Sequence, residues 1–222
     1  MFTGIIQTIG TVAALQPKSG DLSLYIRAPT STSWDWSDVA LGDSIASNGV
    51  CLTAVKLTGD GFWADASNET LSLTSLKHWR IGEPINLEKA LTPQTRLGGH
   101  IVSGHVDGLG EVIKRTPDAR SERFTLRAPK ELAKYIAHKG SITVDGVSLT
   151  VNAVNGAEFE LNIVPHTLSH TIMGRYQAGH LVNLEVDVIA RYLERLLLGE
   201  RAAEGSNTTL TAAFLAQNGY WN

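Results

Sequence analysis

The sequence predicts a protein dominated by β-strands: two tandem, similar, six-stranded closed β-barrels with short helices, followed by a C-terminal amphipathic helix. Three observations predict this fold. The chain repeats itself, short alternating segments bounded by turn residues fill each repeat, and an apolar stripe at helical spacing follows the second repeat. The 222 residues suffice for two domains of about 100 residues each.

The internal repeat covers most of the chain. In the first part of each repeat the offset is 100, as for Gly4 with Gly104, Gly10 with Gly110, and Arg27-Ala28-Pro29 with Arg127-Ala128-Pro129. In the later part the offset is 97, as for Gly49 with Gly146, Thr70 with Thr167, and Asn86-Leu87-Glu88 with Asn183-Leu184-Glu185. We therefore expect two similar domains, residues 1–97 and 98–188, and a C-terminal helix and tail at 189–222.

Short apolar segments in each repeat lie between Gly, Asn, Asp and Pro residues. Residues 22–26, 124–126 and 159–163 alternate between apolar and polar side chains, which is typical of half-buried strands. Several such strands in so short a repeat favour a closed barrel, because closure removes the exposed strand edges that invite aggregation.

One short helix is expected in each repeat. In the second repeat, Pro129 stands at a first helical position, residues 130–138 place apolar side chains at helical spacing, and Gly140 lies beyond the end. The counterpart in the first repeat, residues 34–40, carries weaker signals.

An amphipathic helix is predicted after the second repeat. Residues 189–198 place Ile189, Tyr192, Leu193, Leu196 and Leu197 at helical spacing, with charged residues between them. The apolar stripe either packs back on a barrel or mediates self-association, and we favour self-association. The tail at 199–222 begins polar and ends in apolar residues, so it is expected to be loosely docked or disordered.

Composition excludes several classes of protein. Lys and Arg total 19 against 22 Asp and Glu, a formal net charge of -3, so no broad basic surface for nucleic acid is expected. No apolar run approaches the roughly 18 residues that cross a bilayer, and the first residues do not resemble a secretory signal. The single cysteine, Cys51, excludes an intramolecular disulfide. We expect a soluble, cytoplasmic protein that binds neither membranes nor nucleic acid.

Positions at which the repeats differ are candidates for chemistry, because an unsymmetrical reaction at two similar sites requires divergent polar side chains. Such pairs are Cys51 with Ser148, His105 with Ile5, Asp107 with Gln7, Asn48 with Asp145, Glu69 with His166, and Ala90 with Asp187. Cys51 is either a small buried residue or a functional thiol, and its polar neighbours favour the thiol. Asp187 is alternatively the cap of the terminal helix.

Two histidines and an aspartate lie within residues 99–108. A metal site is disfavoured, because His100 and His105 are an odd number of positions apart and would point to opposite faces of a regular strand. A glycine-flanked histidine suits hydrogen bonding or proton transfer near neutral pH, and a solvated surface histidine is the alternative. The glycine spacing matches neither a dinucleotide-binding nor a phosphate-binding loop.

Six motifs together resemble the riboflavin synthase alpha-chain family: MFTGII at 1–6, SNGVCLT at 47–53, GHIVSGH at 99–105, DGVSLT at 145–150, PHTL at 165–168 and VNLEVD at 182–187. The resemblance covers residues 1–198 with both repeats in order. It implies a transferase that dismutates two molecules of 6,7-dimethyl-8-ribityllumazine, one giving a four-carbon unit to the other. The products are riboflavin and 5-amino-6-(ribitylamino)uracil, and no added cofactor or metal is implied.

The resemblance also implies a homotrimer, in which the N-terminal barrel of one subunit faces the C-terminal barrel of another, and it suggests an association with lumazine synthase. His105 resembles the family's histidine that shuttles the methyl proton. Cys51 or Ser44 resembles the group that supplies or orients the nucleophile, and a water molecule is the alternative nucleophile. The implied substrate-binding residues are Thr53, Glu69 and Thr70 in the first barrel, and Ser148, Thr150, His166, Thr167 and Asp187 in the second. Such side chains suit the hydroxyls of a buried ribityl chain.

A non-catalytic lumazine or flavin carrier, such as a luminescence antenna protein, is the alternative on the same double barrel. A carrier needs only one intact pocket. The second repeat keeps Ser148, Thr150, Thr167 and Asp187, and His105 is present as well, so the sequence favours the enzyme.

Overall fold

The computed structural model of the chain describes residues 1–31 and 34–203. Residues Met1–Val188 form one compact unit, and a second unit begins at Ile189. The first sheet contains β1 (Thr8–Lys18), β2 (Asp21–Arg27), β3 (Ser44–Ser47), β4 (Val50–Thr53), β5 (Lys56–Leu57), β6 (Gly61–Ala66) and β7 (Pro84–Lys89). The second contains β8 (Gly108–Asp118), β9 (Ser121–Arg127), β10 (Ser141–Val144), β11 (Val147–Asn155), β12 (Glu158–Ile163) and β13 (Leu181–Val186).

Three α-helices lie in the described residues: α1 (Asn68–Leu73), α2 (Pro165–His170) and α3 (Val188–Leu197). Short 3₁₀ segments occupy Trp36–Asp38, Ser75–His78, Lys130–Tyr135, Ile172–Arg175 and Gly199–Ala203. The chain is therefore dominated by β-strands, as the sequence predicts. No helix in the described ranges is both long and apolar enough to cross a membrane.

The strand pairing confirms two tandem β-barrel repeats, but only the second has the closed, six-stranded ladder that the sequence analysis predicts for both. The second sheet closes in the order β10-β11-β12-β9-β8-β13, with β13 paired to β10. The first sheet has seven strands in the order β4-β3-β7-β1-β2-β6-β5, and its ladder does not close. Ala54 and Val55 interrupt the strand that would correspond to β11, which itself has an irregularity between Val151 and Ala153. The first barrel is thus an interrupted version of the second.

Each sheet encloses its own apolar core. Leu24 and Ile26 of β2 are fully buried, and so are Phe124 and Leu126 of β9 at the same places in the second repeat. The intervening residues face outward, so the alternation in the sequence correctly identifies these strands. Each such side chain contributes roughly 1.5–3 kcal/mol through removal from water.

The short helices differ from the sequence prediction. Residues 130–138 were expected to be helical, but the structure has a 3₁₀ segment at Lys130–Tyr135, which follows Pro129. Its counterpart is the 3₁₀ segment Trp36–Asp38. The sequence analysis missed α1 and α2, which lie at equivalent places in the two repeats. Their start signals are present: the Ser67 hydroxyl accepts from the backbone N–H of Thr70, and Pro165 stands in the first turn of α2.

The predicted amphipathic helix is confirmed as α3. Its apolar side chains are exposed, Leu196 and Leu197 to 74% and 83%. Self-association through this stripe remains a prediction. The expectation of a loosely docked tail falls mostly on residues 204–222, which lie outside the described residues. The predicted domain boundary at 97/98 falls between β7 and β8 and also remains a prediction.

Two asparagines at equivalent positions join the barrels. The side-chain bonds of this junction are Asn86 Nδ2 to Asp145 O (2.9 Å), Ile172 N to Asn86 Oδ1 (2.8 Å), Asn183 Nδ2 to Asn48 O (2.8 Å), and Ser75 N to Asn183 Oδ1 (2.7 Å). Each asparagine belongs to one barrel and bonds backbone groups of the other. This symmetric exchange, which buries all four bonds, holds the two barrels as one unit.

Candidate functional site

Two extended segments carry residues of each repeat across to the other barrel. Residues 1–7 precede β1 and residues 101–107 precede β8. The segments meet in an antiparallel bridge, in which Phe2 and Val102 exchange backbone hydrogen bonds of 2.7 and 3.1 Å. Both side chains are buried, so the bridge belongs to the core between the barrels.

Each crossing segment ends against one strand of the opposite barrel. The carbonyl of Gly4 accepts from the backbone N–H of Ser148 at 2.8 Å, and the carbonyl of Gly104 accepts from that of Cys51 at 2.9 Å. A Cβ on Gly104 would lie 2.8 Å from the Cβ of Cys51, and one on Gly4 would lie 2.5 Å from the Cβ of Ser148. Both glycines have positive φ, so close approach and backbone conformation both require glycine here.

Two buried glutamates hold the crossing segments in place. Glu185 of β13 accepts from the backbone N–H and hydroxyl of Ser103 (2.7 and 2.6 Å) and from the N–H of Gly104 (3.0 Å). Glu88 of β7 makes the equivalent three bonds to Thr3 and Gly4. Burial raises the pKa of both carboxyls, and the hydrogen bonds oppose that rise. The sequence analysis missed these residues as parts of the site, although the repeated Asn-Leu-Glu motif marks them.

The crossing segment at 101–107 completes a cavity on the first barrel. The cavity has a volume of about 220 Å³ and is lined by Val50, Cys51, Glu69, Thr70, Leu73, Thr74, Gly104, His105 and Val106. Four predicted site residues from three distant parts of the chain therefore meet: Cys51 from β4, Glu69 and Thr70 from α1, and His105 from the segment before β8. His105 is exposed and Cys51 half-buried, so a ligand in this cavity can reach both.

Ser44 and Thr53 lie beside this cavity and do not line it. Ser44 of β3 is directly opposite Thr53 of β4, and Ala46 is opposite Cys51, so these four side chains share one face of the sheet. Ser44 lines another cavity of about 390 Å³, which includes Lys89 of β7. The structure thus separates Ser44 from Cys51 by one step along the same face.

The predicted residues of the second barrel lie on elements equivalent to those of the first. Ser148 and Thr150 lie on β11, His166 and Thr167 on α2, and Asp187 follows β13. Thr150 and His166 are exposed, whereas Ser148, Thr167 and Asp187 are half-buried.

The two histidines of the 99–108 segment contact different barrels. His100 Nδ1 lies 2.6 Å from Ser148 Oγ, and His105 lines the cavity with Cys51. Neither histidine lies in a regular strand, so the strand alternation on which the prediction rested does not apply here. No group of three or more His, Cys, Asp or Glu residues suited to a metal ion occurs among the residues that the structure describes.

A further cavity, of about 360 Å³, lies between the barrels near Asn48 and Asp145. Asp145 accepts from the hydroxyl of Tyr176 and from the backbone N–H of Asn183, and burial raises its pKa to about 7. The pair Asn48 and Asp145, which the sequence comparison raised as a candidate for chemistry, therefore belongs to the barrel junction.

Comparison with known proteins agrees with the duplication of the chain. The lumazine binding domain family matches the chain twice, over residues 3–90 and 103–187. The riboflavin synthase of Photobacterium phosphoreum is 49% identical over 220 residues, which are 99% of each chain. This chain belongs to the riboflavin synthase family. The family's enzyme from Actinobacillus pleuropneumoniae is 41% identical over 220 residues, 99% of this chain and 100% of that one.

Two solved structures of LumP resemble this chain in fold. LumP complexed with riboflavin superposes with a TM-score of 0.75 at 25% sequence identity, covering 84% of this chain and 99% of LumP. LumP complexed with 6,7-dimethyl-8-(1'-D-ribityl) lumazine superposes with a TM-score of 0.74 at 23% identity and the same coverage. The latter similarity is one of fold alone.

Proposed function

We propose that this chain is a riboflavin synthase, a transferase that dismutates two molecules of 6,7-dimethyl-8-ribityllumazine. One molecule gives a four-carbon unit to the other, which yields riboflavin and 5-amino-6-(ribitylamino)uracil. Two substrate molecules contain the same atoms as the two products together, so the reaction consumes no other reactant. The duplication carries the proposal, because two related sites with hydroxyl side chains at equivalent positions suit two identical substrates.

Positioning supplies much of the rate in this proposal. Holding two rings face to face turns an encounter of two ligands into a reaction within one complex, which lowers the barrier by up to roughly 7–11 kcal/mol. The rest comes from the substrate, since loss of a proton from its 7-methyl group gives a carbanion delocalised into the ring.

We assign the proton transfer to His105 and the nucleophile to Cys51, Ser44 or a water molecule that they orient. The nucleophile adds at C7 of one lumazine and makes it the electrophile, while His105 shuttles the methyl proton of the other. The shared cavity of His105 and Cys51 supports this assignment. Ser44 is a nucleophile only for a ligand that extends along the sheet face past Thr53.

The remaining predicted residues bind the substrate. Glu69 and Thr70 line the first-barrel cavity, and Thr53 lies on the same sheet face as Cys51. In the second barrel we assign Ser148, Thr150, His166, Thr167 and Asp187 to the ring and ribityl hydrogen bonds.

We also propose a cytoplasmic homotrimer, in which the N-terminal barrel of one subunit faces the C-terminal barrel of another and which associates with lumazine synthase. The exposed apolar stripe of α3 supports self-association. Light scattering on the purified chain tests the trimer, and a monomer at working concentration would contradict it.

A non-catalytic carrier is the second candidate, because LumP, whose structure contains riboflavin, has the same fold. The identities favour the enzyme: the riboflavin synthase of Photobacterium phosphoreum is 49% identical over 99% of both chains, against 25% for LumP.

The decisive experiment is incubation of the purified chain with 6,7-dimethyl-8-ribityllumazine alone. Riboflavin absorbance should rise, and chromatography should recover the uracil product in equal amount. Bound ligand without riboflavin formation would establish the carrier instead. Single-turnover rates of Cys51→Ser and His105→Gln then test the roles, with His78→Gln, an exposed histidine outside this cavity, as the control. Full activity in either variant removes that residue from the chemistry.

A further inference from the structure

The second barrel contains a polar cluster that centres on His100. Its Nδ1 atom lies 2.6 Å from the hydroxyl of Ser148, and its Nε2 atom lies 3.3 Å from the hydroxyl of Thr143. Thr143 is buried, whereas His100 and Ser148 are half-buried. The chain of contacts therefore runs from the barrel interior to the face that carries the predicted substrate-binding residues.

Among the residues that the structure describes, the first barrel has no equivalent of this cluster. Ala46 stands where the second barrel has Thr143, Cys51 stands at the position of Ser148, and Ala90 at that of Asp187. These three side chains pack against Phe2 and Val102 in a small apolar cluster. Both barrels have a crossing segment and a strand at this place, β4 in the first and β11 in the second, so the chemical difference lies at equivalent positions.

The His100 ring gives the Ser148 hydroxyl a defined direction. Burial lowers the pKa of His100 and so favours the neutral imidazole, although the charge of Asp187 opposes the shift. A neutral imidazole has one donor and one acceptor nitrogen, and the two nitrogens engage Thr143 and Ser148. The contact with Nδ1 restricts rotation of the Ser148 hydroxyl. If Nδ1 donates, Ser148 can present its proton to a ligand; if Nδ1 accepts, Ser148 presents its lone pairs.

We propose that His100 is a positioning residue of the second-barrel site, which acts on the bound heterocycle through the Ser148 hydroxyl and has no counterpart at the first-barrel site. This inference rests on the proposed function. It gives the protein a means of treating two identical substrates differently, because a histidine holds the Ser148 hydroxyl in the second barrel, whereas Cys51 stands at the equivalent position in the first. Glycine at position 99 allows this contact, since a Cβ there would lie 2.8 Å from Ser148 Oγ.

A double-mutant cycle on the single-turnover rate of riboflavin formation tests the proposal. His100→Ala should slow the reaction by about 2- to 12-fold, the factor expected for loss of one neutral hydrogen bond. In a Ser148→Ala background the same change should have an effect of less than about 2-fold, because the group through which His100 acts is gone. Thr70→Val alters the first barrel, so the rate losses caused by His100→Ala and by Thr70→Val should multiply in the double variant.

Two conservative variants separate positioning from a purely structural role. The amide of His100→Asn lies near the former Nδ1 position, next to Ser148, and should restore the rate to within about 2-fold of wild type. The amide of His100→Gln reaches the former Nε2 position next to Thr143 and should not restore it. These variants also decide the question if His100→Ala does not fold. Multiplicative effects of His100→Ala and Ser148→Ala, or equal rescue by both amides, would overturn the proposal.

Failure of the proposed function gives a different result. If the wild-type chain forms no riboflavin, the same cycle is measured on riboflavin binding by fluorescence quenching. Coupling between His100 and Ser148 in binding would then support the positioning role without catalysis. Independent effects in that assay would refute it.

Discussion

The junction between the barrels provides a quantitative test of how the fold is held together. Asn183→Ala removes two side-chain hydrogen bonds, of 2.8 Å to the carbonyl of Asn48 and 2.7 Å from the N–H of Ser75. Both partner residues are buried, so their backbone groups would be left unsatisfied. Each such group costs about 1–3 kcal/mol, and the expected loss is about 2–6 kcal/mol. This loss is a large part of the free energy of unfolding of a typical folded protein, which is roughly 5–15 kcal/mol.

Urea denaturation at one protein concentration measures this loss, because oligomers unfold in a concentration-dependent manner. In a Trp221→Phe background the remaining tryptophans, Trp34, Trp36, Trp63 and Trp79, all precede β8, so their fluorescence reports the first barrel, while far-UV circular dichroism reports both. A change at a second-barrel residue should therefore shift the first-barrel signal as well.

Two controls accompany Asn183→Ala. Asn86→Ala removes the equivalent bonds and should cost a similar amount. Asn155→Ala alters an exposed residue of β11 and should change stability by no more than about 0.5 kcal/mol. If Asn183→Ala costs no more than Asn155→Ala, the asparagine bonds do not hold the barrels together and the reasoning is refuted.

Three further predictions concern buried carboxyls and a glycine. Burial raises the folded-state pKa of Asp145 to about 7, whereas an unfolded aspartate titrates near 3.9, so its contribution to stability falls as pH rises from about 4 to 7. Asp145→Asn should therefore gain on wild type by up to about 1.4 kcal/mol per pH unit in that window, and a pH-independent difference in urea denaturation would contradict this. Glu185→Gln replaces one of the two acceptor oxygens by an NH2 donor, which then faces a donor of Ser103 or Gly104, so we expect about 10-fold lower kcat through displacement of His105; unchanged kcat would show that the segment needs no such anchor. Gly104→Ala should lower the melting temperature more than Gly82→Ala, since both have positive φ but only the first brings a Cβ within 2.8 Å of its neighbours; equal melting temperatures would oppose this.

Several parts of the site were predictable because they depend on local pattern and repetition. The offsets of 100 and 97 identify two similar units, and alternation within residues such as 22–26 identifies their strands. Cys51 and His105 were singled out because the repeats differ at these positions, and the structure places both in one cavity.

Other parts depended on contacts between distant residues. The 3₁₀ segment Lys130–Tyr135 was expected to be a longer α-helix, since the Pro and Gly signals mark its ends but do not set its hydrogen bonding. Glu88 and Glu185 were overlooked because a glutamate in a strand reads as an outward-facing charge until its partners are known. Those partners lie more than 80 residues away in sequence.

The amino-acid order by itself determined the duplicated β architecture, the terminal helix and the likeness to a known family, because these follow from periodicity, turn residues and short motifs. Only the tertiary structure decided that each repeat sends a segment across to its neighbour, that the ladder of the first barrel is interrupted, and that His100 contacts Ser148 while His105 contacts the other barrel. The physical reason is that buried carboxylates and glycine contacts fix these crossings, and such contacts leave no periodic signal along the chain.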